Sequence, residues 1–205
     1  TDEDRPTTIR LLGASFDQDS EPLAVAAIDA SGTTGRVAVL NNDTVRFDPA
    51  HLFDHLASDQ TATTTFGFTI SDNRGGSATS TASVTIEGRD DPPVAVNDAD
   101  TVAEDAGASS LDVLSNDTDM DGGPKSIESV TQPPNGTVAI TGGGSGLTYE
   151  PDADYCNDGE AADEFTYTLN GGSSGAVAVT VECVTQVLSN PALSPAFNPA
   201  VSDYT

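Results

Sequence analysis

An all-β fold is predicted for this chain: two tandem antiparallel β-sandwiches and the beginning of a third unit. Three observations carry that prediction. Short runs alternate apolar and polar residues with a period of two. Turns rich in Gly, Asn and Asp punctuate those runs. The whole pattern then occurs twice, in the same order.

The first copy carries LGASFDQDSEP at Leu12–Pro22 and the second LSNDTDMDGGP at Leu114–Pro124. Aligning them sets Asp17 on Asp119, Asp19 on Asp121 and Pro22 on Pro124. TGRVAV (Thr34–Val39) then matches NGTVAI (Asn135–Ile140), and VRFDPA (Val45–Ala50) matches LTYEPD (Leu147–Asp152). TFGFTISD (Thr65–Asp72) matches EFTYTLNG (Glu164–Gly171), and ASVTIEG (Ala82–Gly88) matches AVTVEC (Ala178–Cys183). Chance does not keep so many blocks in order at a near-constant offset. Phe66, Phe68 and Ile70 share one strand face, as do Phe165, Tyr167 and Leu169. Val177, Val179, Val181 and Cys183 alternate too, which aims Cys183 inward. NND at 41–43, DNRGG at 72–76, TGGGSG at 141–146 and NGGSSG at 170–175 supply turns. Short strands with regular turn signals indicate sandwiches of immunoglobulin-like type. One helix is expected, over AHLFDHLASD at 50–59.

The RDDPP stretch at Arg89–Pro93 marks a boundary, because paired prolines cannot continue a central strand and stiffen a connection. The expected division is residues 1–89, 90–184 and 185–205. Copy one has no equivalent of PVAVNDAD at 93–100, so its first strand reads as truncated. Val184–Thr205 fits neither copy and reads as the start of another module, so the chain looks like a piece of a longer array.

Acids number 33 against 7 bases, a formal charge of −26. Nucleic acid is excluded as a partner, since that binding needs Lys and Arg to neutralise phosphates. Anionic membrane surfaces are disfavoured for the same reason, and no apolar run reaches the ~20 residues of a membrane span. Multivalent cations are the natural counter-charge. Cys156 and Cys183 permit one bridge or two buried thiols.

The stretches DDPPVAVNDADTVAED, VLSNDTDMDGG, SVTQPPNGTVAITGGG, LTYEPDADY and DEFTYTL resemble the bacterial VCBS and cadherin-like (immunoglobulin-like) tandem repeats of large secreted adhesins and surface proteins. TDED, DQDSEPLAV, TGRVAV, VRFDPAHLFDHLASDQTATTTFGFTISDNRGG and SVTIEG carry the same resemblance in copy one. SPAFNPAVSDYT resembles the opening of a different cadherin-like module. The resemblance implies a secreted or bacterial cell-surface location and a Ca²⁺-stiffened rod. An extracellular chain favours the Cys156–Cys183 disulfide.

Carboxylates a few ångströms apart repel by about 4 kcal/mol at an intermediate effective dielectric. Ca²⁺, which takes six to eight oxygens, reverses the sign. NDTDMDGG is otherwise only a polar turn, since Asp, Asn and Gly favour turns. Cadherin junctions take ligands from the base of one domain, the linker and the apex of the next. Carried over, Glu3 is the base ligand of copy one, Asp90 and Asp91 the linker ligands, and Asp119 and Asp121 the apex pair of copy two. Asn170, beside the position aligned with Asp72, is carried over as a ligand that lacks its charge. Asp17, Asp19 and Asp72 form the apex of copy one, and Glu104 faces the junction with the third unit. RDDPP is shorter in acids than a cadherin linker, which implies fewer ions. The Ca²⁺ loop is not an EF-hand, for want of the bidentate Glu.

His51 and His55 lie one helical turn apart on the expected helix, a spacing that suits Zn²⁺, but no third ligand accompanies them. Asp48–Pro49 and Asp91–Pro92 are acid-labile bonds in a setting of structural turns, and Lys125 has no isopeptide environment. No nucleophile elbow or oxyanion motif is present, so no enzyme activity is expected. The leading expectation is an extracellular spacer of an adhesin or surface filament, rigidified by Ca²⁺ at its junctions, whose partners are adjacent sandwich modules. One alternative is a carbohydrate- or surface-binding module of a secreted enzyme, meeting surface glycans or a host or cell-surface protein. Another is a filament subunit joined by strand exchange.

Overall fold

A computed structural model describes residues 1–184. The expected third module falls outside those residues. Within them lie thirteen strands, and the chain is all-β.

In the first half, β1 (Thr7–Arg10), β4 (Thr44–Asp48) and β3 (Arg36–Val39) form one sheet in the order β1-β4-β3. Facing it is β2 (Ala24–Asp29), β5 (Thr61–Ser71) and β6 (Ser77–Glu87), in the order β2-β5-β6. All of these pairings are antiparallel. Val45, Phe47, Phe66, Val84 and Ile86 point between the sheets and are buried, with Leu11 closing the edge.

The second half repeats the plan. β8 (Ser109–Leu111), β10 (Gly136–Thr141) and β11 (Gly146–Pro151) form a sheet in the order β10-β11-β8. The opposite sheet runs β7-β13-β12-β9, with β7 (Asp98–Ala103), β9 (Ile127–Val130), β12 (Asp163–Leu169) and β13 (Ser174–Glu182). The alternating residues Phe165, Tyr167 and Leu169 meet Val177, Val179 and Val181 in a separate core. Tyr149 and Phe165 stack within it, 6.5 Å between ring centroids.

The repeat reaches single contacts. A Cβ on Gly136 would come within 2.7 Å of the Tyr149 ring, and one on Gly35 equally close to the Phe47 ring. Each glycine lets its strand start directly over an aromatic, which explains the shared TG/NG block.

One strand breaks the symmetry. β7 pairs in parallel with β13, but β6 has on that side only the isolated parallel bridge Asp2↔Glu87. Most of the outer edge of β6 therefore lacks a partner strand among the described residues.

Two expectations are corrected. The 50–59 stretch is not a helix but a series of turns. The Asp48 carboxylate accepts the Ala50 N–H at 3.0 Å. Ala50 and His51 both take positive φ, 57° and 58°. The bonds that follow, Leu52 N–H to Pro49 and Leu56 N–H to Phe53, span three residues rather than four. Phe53 and Leu56 still reach the core, at 4% and 7% exposure, so turns satisfy the spacing that resembled a helix. His51 and His55 are consequently not stacked one helical turn apart. Cys183 is also exposed rather than inward, because β13 ends at Glu182. It bonds Cys156 across a sequence separation of 27, with Cα atoms 5.1 Å apart.

Candidate metal centre at the junction

The residues flanking RDDPP bring carboxylates from three directions. From the base of the first sandwich comes Glu3, in a segment held to the end of β6 by its N–H on the Glu87 carbonyl at 3.1 Å. Glu3 is 1% exposed, an uncommon place for a carboxylate. Its Oε1 accepts the Arg89 N–H, and its Oε2 is buried with no donor. Burial pushes the Glu3 carboxyl up, and the charges of Asp91, Asp4 and Asp54 add to that shift.

The linker supplies Asp91. Its carboxyl is pushed up by burial and then by four acids: Asp54, Asp4, Asp121 and Asp119. One side chain thus feels acids from both sandwiches. Asp90 is more exposed and acts on Asp119.

The second sandwich supplies the apex loop. Asp119 Oδ1 accepts the Gly123 N–H at 2.8 Å, which folds the loop back on itself. Asp119 and Asp121 lie close enough for their mutual interaction to raise the first carboxyl and lower the second. Two carboxylates so close cannot both ionise readily without a cation. Asn170 stitches this loop to the β12–β13 turn, accepting from Ser126 N–H at 2.8 Å and donating to the Pro124 carbonyl at 2.9 Å. Its amide is spent on backbone.

Asp2 Oδ1, Glu3 Oε2, Asp54 Oδ1 and Asp121 Oδ1 are all buried carboxylate oxygens without a donor. Asp54 was not anticipated. It lies in the turn read as helix, and it approaches Asp4 and His51 closely enough for one atom of each to share an ion. His51 Nδ1 lies 3.3 Å from Asp54 Oδ2. Only an irregular reading of HLFDHL would have exposed it.

The other predicted ligands lie elsewhere. Asp17 Oδ1 accepts the N–H groups of Asp19 and Glu21 at 2.8 and 3.2 Å. Asp72 accepts Arg74 and Gly76 N–H at 2.7 and 2.9 Å, which lowers its carboxyl. Glu21, missed in the sequence, is pushed up by burial and by Asp72 and Asp17, and pairs with Arg74 at 2.8 Å. This is the far end of the first sandwich. Glu104 joins Asp105 and Asp154 in a further acidic group. Tyr149 and Tyr167 are fully buried, so they offer no sugar platform.

The donor set is oxygen throughout apart from His51, and it suits a hard divalent cation of the Ca²⁺ class. Two sandwiches in tandem, with acids gathered at the joint, define an immunoglobulin-type modular protein. The chain belongs to the bacterial Ig domain family Big_9, whose profile matches residues 1–86 and again residues 90–184. It is an immunoglobulin-type module of a secreted or bacterial surface protein.

Among solved structures it is similar to mouse cadherin-23 repeats EC22-24, at 18% identity and a TM-score of 0.46, over 79% of this chain and 52% of that one. Protocadherin gamma C5 EC1-3 is 12% identical with a TM-score of 0.46, over 89% of this chain and 63% of that one. An endo-fucoidan hydrolase of glycoside hydrolase family 107 is 14% identical with a TM-score of 0.35, over 88% of this chain and 26% of that one. The chain spans less than two thirds of each of these structures. No curated protein matches it. No helix among the described residues is long and apolar enough to cross a membrane.

Proposed function

We propose that this chain is an extracellular spacer whose two sandwiches are locked end to end by Ca²⁺ at the RDDPP junction. The observation that carries the reading is the set of buried carboxylate oxygens on Asp2, Glu3, Asp54 and Asp121 that lack any donor. A protein does not ordinarily bury such atoms without compensation. Glu3, Asp54, Asp91, Asp119 and Asp121 would hold the ion, with Asp2, Asp4 and Asp90 close by. The ion supplies positive charge where these eight acids meet. With that charge neutralised, the joint resists bending and local opening. Extracellular modules bind Ca²⁺ at roughly 10⁻⁴–10⁻³ M, so the site fills outside the cell and empties at cytosolic levels. The test is thermal unfolding with and without millimolar Ca²⁺. The wild type gains melting temperature, and an Asp119→Ala/Asp121→Ala double variant does not. A wild-type melting temperature indifferent to Ca²⁺ overturns the reading.

One observation favours the strand-exchange alternative. The open edge of β6 borders a groove of about 400 Å³ lined by Ile9, Leu11, Phe68, Ile70 and Ala82. In the second sandwich β7 occupies the corresponding edge. A strand from a neighbouring chain would add in parallel to β6. Concentration-dependent protection of β6 amides from hydrogen exchange tests this, and protection independent of concentration rejects it.

A further inference from the structure

Two acids of the second sandwich take no part in the junction. Asp117 is 4% exposed, and Asp98 begins β7. Asp117 Oδ1 accepts the Val96 N–H at 2.7 Å and the Tyr167 hydroxyl at 2.8 Å. Asp98 Oδ1 accepts Asn116 Nδ2 at 2.9 Å. The Oδ2 atom of each is buried with no donor. Asp98 is near enough for its charge to act on the Tyr167 phenol beside that of Asp117, and the hydroxyl also lies 3.0 Å from the Val96 carbonyl and 3.1 Å from the Val113 carbonyl. A phenol has one proton to give. Oxygen acceptors therefore outnumber donors around it. Lys125 does not correct the imbalance, because its ammonium is directed at the backbone carbonyls of Leu114 and Asp117, at 2.7 and 2.8 Å.

We propose that this cluster is a cation site internal to the second sandwich, in which Asp98 and Asp117 hold a hard divalent ion of the Ca²⁺ class and the Val96 and Val113 carbonyls serve as neutral ligands. Such ions take oxygen ligands in mixed carboxylate and carbonyl sets. Soft-metal chemistry has no nitrogen or sulfur here to use. The first sandwich supports the assignment by contrast. Phe68 aligns with Tyr167 and Ser15 with Asp117, so the phenol and the acid are absent together. The ion would tie the start of β7 to the loop that goes on to Asp119 and Asp121, fixing that loop from inside its own module.

The rival arrangement is a proton shared between the acids. Burial pushes the Asp98 carboxyl up, and the Asp117 charge adds to that. Tyrosine-sensitised Tb³⁺ luminescence of the whole chain separates the two, since the chain has no Trp. The expected result is an emission that Ca²⁺ displaces, that vanishes in Tyr167→Phe, and that survives Asp119→Ala/Asp121→Ala. Asp98→Asn should weaken Tb³⁺ binding by about tenfold or more. Asp98 is less buried than Asp117, so this variant keeps the fold, checked by circular dichroism. Emission that depends on Tyr155 instead would report the nearby Glu104 cluster and overturn the proposal. So would an infrared band of a protonated carboxyl at neutral pH and in Ca²⁺ that disappears in Asp98→Asn. Survival of the signal in the apex double variant separates this site from the junction, so either can fail alone.

Discussion

Glu104 accepts the Val184 N–H at 2.7 Å, the bond that Glu3 makes with Arg89 one module earlier. The two bases are built alike: Glu3 N–H binds the Glu87 carbonyl and Glu104 N–H the Glu182 carbonyl, at 3.1 and 2.8 Å. They differ in burial. Glu3 is buried and Glu104 is partly open. Glu3→Gln should therefore raise the stability of the calcium-free chain by about 1 kcal/mol, because an amide donor replaces an orphan carboxylate oxygen. The same change should remove the response to Ca²⁺. Glu104→Gln should leave both within about 0.5 kcal/mol. Calorimetric scans in chelator and in Ca²⁺ read all four values.

Asp54 is the sharpest test of the ligand set. Asp54→Asn should weaken Ca²⁺ binding, followed by isothermal titration, by about tenfold or more. An unchanged affinity would remove Asp54 from the site.

That residue also shows where sequence reasoning stops. Strand positions were legible because alternation is local: Phe66 and Tyr167 are buried as their period demands. The acids of TDED, RDDPP and NDTDMDGG were legible because like charges cluster there without another explanation. Asp54 was not, since Phe53 and Leu56 have the spacing of a helix face, and only the Asp48–Ala50 turn breaks it. Nor was the setting of Asp117, because its partner Tyr167 lies fifty positions along the chain. Cys183 failed for a smaller reason. Alternation continues on paper after the ladder has ended at Glu182.

The pH dependence has a defined sign. Glu3 and Asp91 are raised above their ordinary values of 4.5 and 3.8, so the folded chain binds those protons more tightly than the unfolded one. Stability of the calcium-free chain from these groups rises as pH falls from neutrality, and is complete below the ordinary values. Asp43, lowered by its bond to Arg10, and Asp72, lowered by the Arg74 N–H, act oppositely and lose their contribution below 3.8. Melting temperature in chelator should peak in mild acid. In Ca²⁺ the junction must stay ionised, so acidification should lower the melting temperature instead.

The disulfide protects one module. Closing a separation of 27 residues contributes roughly 3 kcal/mol by the loop-entropy account. Reduction should lower the melting of the second sandwich and leave that of the first, which has no cysteine, in place. Scans with and without reductant show whether only one transition moves.

The claim that acids of two modules share a cation at RDDPP is tested most directly by anomalous X-ray scattering from crystals grown in Ca²⁺. An ion peak is expected within coordination distance of Glu3, Asp54 or Asp91 on one side and Asp119 or Asp121 on the other. Ordered solvent alone between those carboxylates, at Ca²⁺ concentrations well above the millimolar range, would contradict it.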